Sequence, residues 1–239
     1  MKAGNASVKK PAGRRPVVFL FDIDNTLLDN DRVQVDLQAH LVQAAGPAGA
    51  RRYWAVFEQL RRQLGYADYL GALERYRALR PHDFGMLAVA RFLLHYPFAR
   101  RLFPHSLRVI AWARRRGLAA VLSDGDAVFQ PHKAEISGLA AAVGGRVMIY
   151  VHKEKELADV ARRHPARHYV VVDDKLRILT AIKKIWGRRA TTVFVRQGRY
   201  ALDTRSIAKF PPADVTLERI GDLLRCDSDS LVAAGRGPR

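Results

Sequence analysis

The sequence predicts an α/β protein in which a helical region is inserted between the first and second strands of a parallel sheet. Residues 17–21 form a β-branched and aromatic run that is too short for a helix, which predicts a buried central strand. From residue 104 onward, short apolar runs alternate with helical stretches. This alternation is typical of βαβ units, whose right-handed crossovers build a parallel sheet.

Each element of the alternating region is bounded by a glycine, a proline or a change of hydrophobic period. We expect strands at 118–122, 146–151, 167–172 and 191–195, and helices at 104–116, 128–137, 153–163, 175–186 and 216–224. Residues 31–103 instead have helical periodicity, in which Tyr53, Phe57, Leu60 and Leu64 form one apolar stripe. Breaks at Gly46-Pro47 and Arg80-Pro81 predict three or four helices there.

Composition excludes several classes of protein. The chain has 239 residues, of which 49% are hydrophobic, enough for one sizeable core and a smaller attached domain. A single cysteine, Cys226, excludes an intramolecular disulfide and fits a reducing compartment. No apolar run approaches the roughly 20 residues of a membrane span, so we expect a cytoplasmic protein that binds no membrane. Residues 1–15 and 225–239 are expected to be a flexible basic arm and a flexible tail.

The net charge of +18 is concentrated in one part of the chain. Residues 50–116 contain fourteen Arg and only four acidic residues. A positive field attracts anionic ligands of any kind, including nucleic acid. Tyr53 and Trp54 follow Arg51 and Arg52, an arrangement that can stack bases. Their helical spacing favours a core role, so nucleic-acid binding is not the favoured interpretation, and the oligomeric state is unknown.

The stretch with the clearest chemistry follows the first strand. Asp22 and Asp24 are two positions apart, and residues at this spacing in extended backbone point to the same side. Open α/β sheets bind ligands at the carboxyl ends of their strands. Two carboxylates held together there favour a bound cation, and hard oxygen ligands favour Mg²⁺. The alternative is an acidic turn with no catalytic role, which a short motif alone does not exclude.

The later strands also end in residues that suit an anion and a metal. Residues 118–122 lead into Ser123-Asp124-Gly125, where a hydroxyl and a backbone N–H can hold a phosphate oxygen. The strand at 146–151 is followed by Lys153, and a cation at the start of a helix suggests a bound anion. The strand at 167–172 is followed by Asp173 and Asp174. Parallel strands would bring all these residues to one crevice.

In this order, the four segments resemble the motifs of the haloacid dehalogenase (HAD) superfamily: Phe-Asp-Ile-Asp-Asn-Thr-Leu at 21–27, Leu-Ser-Asp-Gly at 122–125, Lys153, and Val-Val-Asp-Asp at 171–174. The resemblance implies a Rossmann-like core from 16–30 and 104–224, with a mobile α-helical cap at 31–103. Aspartate at position 24 resembles the phosphatase and phosphotransferase members, because the dehalogenase branch does not need an acid there. The chain therefore looks like a phosphatase.

The resemblance also implies a role for each residue. Asp22 would be the nucleophile that forms an aspartyl-phosphate, and Asp24 the general acid and then the base. Ser123 and Lys153, with Asp124 beside them, would bind the phosphate. The Mg²⁺ cofactor would be held by the Asp22 carboxylate, the Asp24 backbone carbonyl and one or both carboxylates of Asp173 and Asp174. Asp174 is favoured as the direct ligand. Asp173 would then orient Lys153 or a metal-bound water.

Some assignments stay open at this point. Lys155 is a rival to Lys153, because helix starts are difficult to place from sequence. Lys133 resembles a common basic position of the family, on the helix after the second motif, and is interpreted as structural. Thr26 either supports the loop or caps a helix, with capping favoured. Asp126 and Lys175 are interpreted as helix-end residues and receive no role.

Three functions remain in competition. The favoured function is a phosphomonoesterase acting on a small phosphorylated metabolite. The alternatives are a HAD-like protein that binds nucleic acid or another polyanion, and a phosphatase acting on a nucleotide or a nucleic-acid end.

Overall fold

A six-stranded parallel sheet forms the centre of the protein, in the order β3-β2-β1-β4-β5-β6. The computed structural model describes residues 15–80, 82 and 85–237; the predicted arm at 1–15 lies, except for its last residue, outside this part of the chain. The strands are β1 Arg15–Phe21, β2 Leu118–Asp124, β3 Val147–Tyr150, β4 Ala166–Asp173, β5 Ala190–Val195 and β6 Val215–Leu217. The predicted α/β fold with a parallel sheet is confirmed, and β1 lies between β2 and β4 as a central strand should.

Helices follow most strands and cover both faces of the sheet. The helices that follow the inserted region are α4 Ser106–Arg114, α5 Phe129–Ile136, α6 Leu139–Ala142, α7 Leu157–Arg163, α8 Leu176–Trp186, α9 Gly198–Leu202, α10 Thr204–Ile207 and α11 Ser228–Arg236. Short 3-10 helices occupy Phe98–Arg101, Lys153–Lys155, Gly187–Arg189 and Ile220–Arg225. Side chains of β1 alternate between the faces, because successive residues of a strand point in opposite directions. Phe19 and Phe21 join the apolar cluster that contains α4 and α5, whereas Val18 and Leu20 join the one that contains α7 and α8.

The inserted region consists of α1 Asn30–Leu64, α2 Tyr69–Leu79 and α3 Gly85–Leu94. Helix α1 is interrupted at Gly46, which has a φ of 69°, as the Gly-Pro pair predicted. The apolar stripe of α1 is buried at Tyr53, Phe57 and Leu60 and packs against α2, where Tyr69 stacks on Phe57 at 4.9 Å. These aromatic residues therefore build the core of the inserted helices.

The segments that lead into and out of the inserted region lie side by side. Asp29 N–H donates to the carbonyl of Arg101 at 2.7 Å, and Phe103 N–H donates to the carbonyl of Leu27 at 2.9 Å. The Ser106 hydroxyl, at the start of α4, also donates to the Leu27 carbonyl. The connection between β1 and the inserted helices is thus held close to the carboxyl end of β1.

The structure differs from the sequence prediction near the end of the chain. Residues 216–224 were expected to be one helix, and this prediction is wrong. Residues 215–217 form β6, which pairs with Val193–Val195 of β5, and the 3-10 helix Ile220–Arg225 follows. A three-residue edge strand is too short for its alternation of apolar and polar residues to be recognised in the sequence.

A helix also stands where the flexible tail was expected. Helix α11 buries Leu231, and Gly235 of this helix lies so close to β5 that a Cβ atom would meet Thr191 Oγ1 at 2.2 Å. Lys183 of α8 donates to the Gly235 carbonyl at 2.7 Å. Tertiary packing therefore orders a segment whose composition suggested a tail. Across the described residues, every helix is too short or too polar to span a bilayer.

Candidate active site

Asp22 lies directly after β1, at the carboxyl edge of the sheet. Its backbone N–H continues the pairing of β1 with β4 by donating to Val172 at 3.0 Å, so the position of the residue is fixed by the sheet. Its side chain is only 3% exposed. The Asp22 Oδ1 atom accepts hydrogen bonds from the Lys153 ammonium at 2.6 Å and from the Ser123 hydroxyl at 3.1 Å. Residues at or just after the carboxyl ends of three different strands therefore meet at one carboxylate.

Lys153, and not Lys155, reaches this carboxylate. Lys153 is 1% exposed, and its Nζ also lies 2.7 Å from Asp173 Oδ2, whereas Lys155 is exposed. Burial by itself would lower the pKa of Lys153, but the negative charges of Asp173 and Asp22 outweigh it and raise the pKa well above its ordinary value. Lys153 is therefore a permanently charged ammonium at the centre of the site.

Burial and neighbouring charges also oppose each other at Asp22, where the net effect is a lowered pKa. Burial favours the neutral carboxyl, but the charges of Lys153 and Lys175 outweigh burial and hold the pKa of Asp22 below its ordinary value. Asp22 is thus ionised at neutral pH, the form in which a carboxylate is a nucleophile.

Asp173 and Asp174 complete a group of buried carboxylates with Asp22, and oxygen atoms from all three lie within 4.8 Å of one another. Asp173 Oδ1 accepts a hydrogen bond from Lys175 N–H, and Oδ2 faces Lys153. Neither oxygen of Asp174 has a hydrogen-bond partner among the described residues, although both are buried. Burial, which dominates over the nearby charge of Lys175, raises the pKa of Asp174 well above its ordinary value.

This group of carboxylates fits a metal ion. A buried carboxylate without a partner is costly, and a cation between the three side chains would satisfy the Asp174 oxygens. Lys153 and Lys175 are only two cations beside three carboxylates, and a bound cation would favour the ionised form of Asp174, which burial opposes. Carboxylate oxygens suit a hard divalent ion such as Mg²⁺. Both oxygens of Asp174 are free to bind such an ion, and direct ligation by Asp174 stays a prediction.

Ser123 and Asp124 lie at the end of β2 beside this group. The Ser123 hydroxyl contacts Asp22 and accepts a hydrogen bond from Gln130 of α5 at 3.0 Å. The Asp124 carboxylate accepts the Lys153 backbone N–H at 2.7 Å. The Gly125 N–H is already used by the carbonyl of Tyr150. Asp124 therefore orients the segment that carries Lys153, a role that the sequence did not reveal.

Asp24 is not one of the three grouped carboxylates and instead contacts side chains of α5. Both of its oxygens accept hydrogen bonds from the Lys133 ammonium, at 2.7 Å and 3.0 Å, and Gln130 is 3.4 Å from Oδ2. The carboxylate is 21% exposed, whereas Lys133 is fully buried. Lys133 was interpreted as structural from the sequence, where it resembles a common basic position of the family, and its contact with Asp24 was not predicted.

The turn after Asp24 links the site to the inserted helices. Asn25 has a φ of 60°, and its Oδ1 accepts the backbone N–H groups of Asn30 and Asp31 at the start of α1. Gly198 approaches this turn so closely that a Cβ atom would lie 2.4 Å from Asn25 Cγ. The predicted capping role of Thr26 is wrong, because Asp29 caps α1 and the Thr26 hydroxyl instead donates to Asp22 at 3.4 Å.

A cavity of about 320 Å³ opens above these residues, between the inserted helices and the sheet edge. Asp24, Asp124 and Asp174 line it on the sheet side. The arginines that line it are Arg61 of α1, Arg177 of α8 and Arg199 of α9, whose role was not predicted from the sequence. Aromatic residues supply the apolar wall: Phe57, Tyr66, Phe194, Tyr200 and Phe210. The cavity can hold a small anionic molecule with its reacting group against the carboxylates.

Asp126 and Lys175, which received no role from the sequence, have clear positions in the structure. Asp126 caps α5, because its Oδ1 accepts the N–H groups of Val128 and Phe129. Lys175 is buried beside Asp174 and Asp22, and their negative charges, which outweigh burial, raise its pKa.

Comparison with known proteins agrees with this geometry. Residues 17–185 match the model of the family described as "Hydrolase: haloacid dehalogenase-like hydrolase". The crystal structure of a haloacid dehalogenase-like hydrolase from Burkholderia xenovorans LB400 is 57% identical, with a TM-score of 0.86 over 89% of this chain and 99% of that one. No curated protein matches the chain.

Two more distant structures share the fold. The HAD-hydrolase YfnB from Bacillus subtilis, bound to magnesium, is 14% identical, with a TM-score of 0.60 over 89% of this chain and 98% of that one. L-2-haloacid dehalogenase from Xanthobacter autotrophicus is 17% identical, with a TM-score of 0.57 over 87% and 96%. The protein belongs to the haloacid dehalogenase-like hydrolases, as the family match and the identity to the Burkholderia protein establish.

Proposed function

We propose that the protein is a Mg²⁺-dependent phosphomonoesterase that acts on a small phosphorylated metabolite through an aspartyl-phosphate. The observation that carries the proposal is Asp174, a buried carboxylate with two unpartnered oxygens beside Asp22 and Asp173. Displacement of halide from carbon does not require a cation at such a position, whereas the charge of a phosphate ester does. The magnesium bound to the YfnB protein supports the same choice of ion.

In the proposed reaction, an oxygen of Asp22 attacks phosphorus and the bond from phosphorus to the ester oxygen breaks. The pKa of Asp22, held low by Lys153 and Lys175, keeps this oxygen ionised. Lys153 and the Ser123 hydroxyl, which both contact Asp22 Oδ1, are placed to neutralise charge on the transferring phosphoryl group. A bound Mg²⁺ would supply further positive charge to this group.

Asp24 is the proposed proton carrier. Its carboxylate borders the cavity in which the ester oxygen would lie. In its protonated form it would donate to that oxygen as the alcohol leaves, and the resulting carboxylate would then take a proton from the water that hydrolyses the aspartyl-phosphate. The second step returns Asp22 and releases phosphate.

The cavity supports a small substrate with some apolar character. Its volume of about 320 Å³ is at the lower end of the range for small-molecule sites. Arg61 and Arg199 both donate to the Tyr200 hydroxyl, at 3.0 Å and 3.3 Å, where α1 meets α9. These side chains would contact the part of the substrate that is remote from phosphorus.

Hydrolysis of p-nitrophenyl phosphate, measured with Mg²⁺ and with chelator, tests the proposal. We expect turnover that requires the metal and is abolished by Asp22→Asn. Release of chloride from 2-chloropropionate in parallel tests the activity named for the Xanthobacter protein. Metal-independent chloride release without phosphate release would contradict the proposed function.

A further inference from the structure

Lys133 is a fully buried cation that the reaction described above does not use. It lies on α5 and is 0% exposed. Its ammonium donates to both oxygens of Asp24, at 2.7 Å and 3.0 Å, and to Asn30 Oδ1 at 3.2 Å. An ammonium has three protons, and these three acceptors match them in number. The side chain is therefore held in one place by its hydrogen bonds.

The surroundings of Lys133 exclude water from the ammonium. The rings of Tyr69, Phe98 and Phe129 have their centroids 6.0, 5.9 and 5.4 Å from Nζ. A buried ammonium is costly unless it is paired, so this cage stabilises the lysine only with a carboxylate against it. Asp24 is the acidic partner that the structure gives to Lys133 within the described residues.

The two side chains of the Lys133–Asp24 pair differ in exposure, and this difference suits catalysis. Lys133 is locked on the protein side, whereas Asp24 is 21% exposed and borders the cavity. Gln130 holds Asp24 Oδ2 from the same helix at 3.4 Å. Without Lys133, the Asp24 side chain would have neighbouring water and several rotamers available to it. With Lys133, both carboxylate oxygens are held by donors of α5 while Asp24 still lines the substrate cavity.

We propose that Lys133 is a positioning residue that fixes the Asp24 carboxylate in the orientation required for proton transfer to the ester oxygen. The proposal rests on the proposed phosphatase function, because it concerns the group that would protonate the leaving alcohol. A displacement of about 1 Å at a reacting group can cost about 100-fold in rate, so holding this carboxylate in place is a sufficient role for a buried lysine.

Asn30 extends this arrangement to the inserted helices. It is the first residue of α1, and its Nδ2 donates to the Tyr69 hydroxyl of α2 at 3.3 Å. Lys133 therefore touches Asp24 on the sheet side and the first residue of the insertion on the other. The orientation of Asp24 depends on how the inserted helices lie against α5.

The test compares two esters that differ in their need for a proton. The nitrophenolate that leaves p-nitrophenyl phosphate is a stable anion, whereas benzyl phosphate releases an alkoxide that must be protonated. We expect Lys133→Met to lower kcat/KM for benzyl phosphate by about 100-fold and for p-nitrophenyl phosphate by less than about tenfold. Lys184→Met, at an exposed position of α8, is the control and should change neither value. The melting temperature and its rise with Mg²⁺ report whether each variant is folded.

A double variant makes the test independent of any loss of stability in the single one. If Lys133 acts through Asp24, then Asp24→Asn combined with Lys133→Met is no slower toward benzyl phosphate than Asp24→Asn alone. A further drop of about tenfold or more, or equal losses on both esters in Lys133→Met, would overturn the role of Lys133. A wild-type protein that releases phosphate from neither ester would contradict the proposed function itself.

Discussion

The ammonium of Lys153 donates a hydrogen bond of 2.6 Å to Oδ1 of Asp22, a residue 131 positions earlier in the chain. Both side chains are buried, at 1% and 3% exposure. The contact exists because β1 is the neighbour of β2, and the Asp124 carboxylate at the end of β2 holds the Lys153 backbone. The central contact of the site is therefore a direct result of strand order.

Lys153→Met should lower kcat/KM for p-nitrophenyl phosphate by about 100-fold to 1000-fold, because it removes a charge aimed at the transferring phosphoryl group. It should also lower the free energy of unfolding by about 3–5 kcal/mol, since Asp22 and Asp173 then lose a buried cation. Steady-state kinetics and urea denaturation measure the two effects. Lys155→Met is the matched control, at an exposed position two residues away, and comparable losses in both variants would refute the assignment of Lys153.

Mg²⁺ should raise the melting temperature of the wild-type protein, because an ion that binds only the folded state stabilises it. At 100 times its dissociation constant the ion would add about 2.7 kcal/mol. Asp174→Asn should abolish this rise, because the substitution removes the carboxylate whose two oxygens have no hydrogen-bond partner. Asp126→Asn, which keeps an oxygen acceptor for the N–H groups at the start of α5, should change the stability little and keep the rise. An undiminished rise in Asp174→Asn would exclude Asp174 as a ligand.

His168 should make the protein less stable in mild acid. Burial, reinforced by the positive charges of Arg236 and Lys183, lowers the pKa of His168 from 6.5 to about 4. Its Nε2 lies 2.8 Å from the Thr191 hydroxyl, which itself donates to the Leu231 carbonyl, so Nε2 carries the proton of the neutral ring.

The direction of this pH effect follows from the lowered pKa. Above about pH 6.5 the ring is neutral in both states; as the pH falls from 6.5 toward 4 only the unfolded chain gains a proton. Up to about 3 kcal/mol of stability is lost over this window. Urea denaturation at several pH values should show that the unfolding free energy of His168→Gln falls less steeply with decreasing pH than that of the wild-type protein. An unchanged slope in that variant would assign the effect to other groups.

Leu231→Ala tests whether the last helix is part of the core. Leu231 is 2% exposed, so its truncation should cost about 2–5 kcal/mol of unfolding free energy. Leu202→Ala, at a leucine that is 58% exposed, should change the stability by less than about 0.5 kcal/mol. Equal and small effects in both variants would mean that α11 does not contribute to the stability of the fold.

The residues at strand ends could be found from the sequence because parallel strands bring their carboxyl ends to one edge. Asp22, Ser123, Lys153 and Asp174 each follow an apolar run, and this local signal is enough to place them near one another. Helix periodicity likewise predicted the buried stripe of α1, since burial of one face gives the pattern its period.

The residues that the sequence did not reveal depend on contacts between distant elements. Lys133 resembles a common basic position of the family, but only the packing of α5 against Asp24 and Asn30 shows its partners. The arginines of the cavity are three among 31 in the chain, and sequence spacing cannot tell which of them face inward. Helix α11 is polar enough to resemble a tail, and its order depends on contacts with β5 and α8.

The most direct measurement of the central claim is the chemical location of the phosphoryl group during turnover. The protein would be mixed with p-nitrophenyl phosphate and Mg²⁺, quenched in acid and reduced with borohydride, which converts an acyl phosphate on aspartate to homoserine. Peptide mass spectrometry should find homoserine at position 22, and none in Asp22→Asn. Phosphate release with no modification at Asp22, or with modification at another carboxylate, would contradict the account.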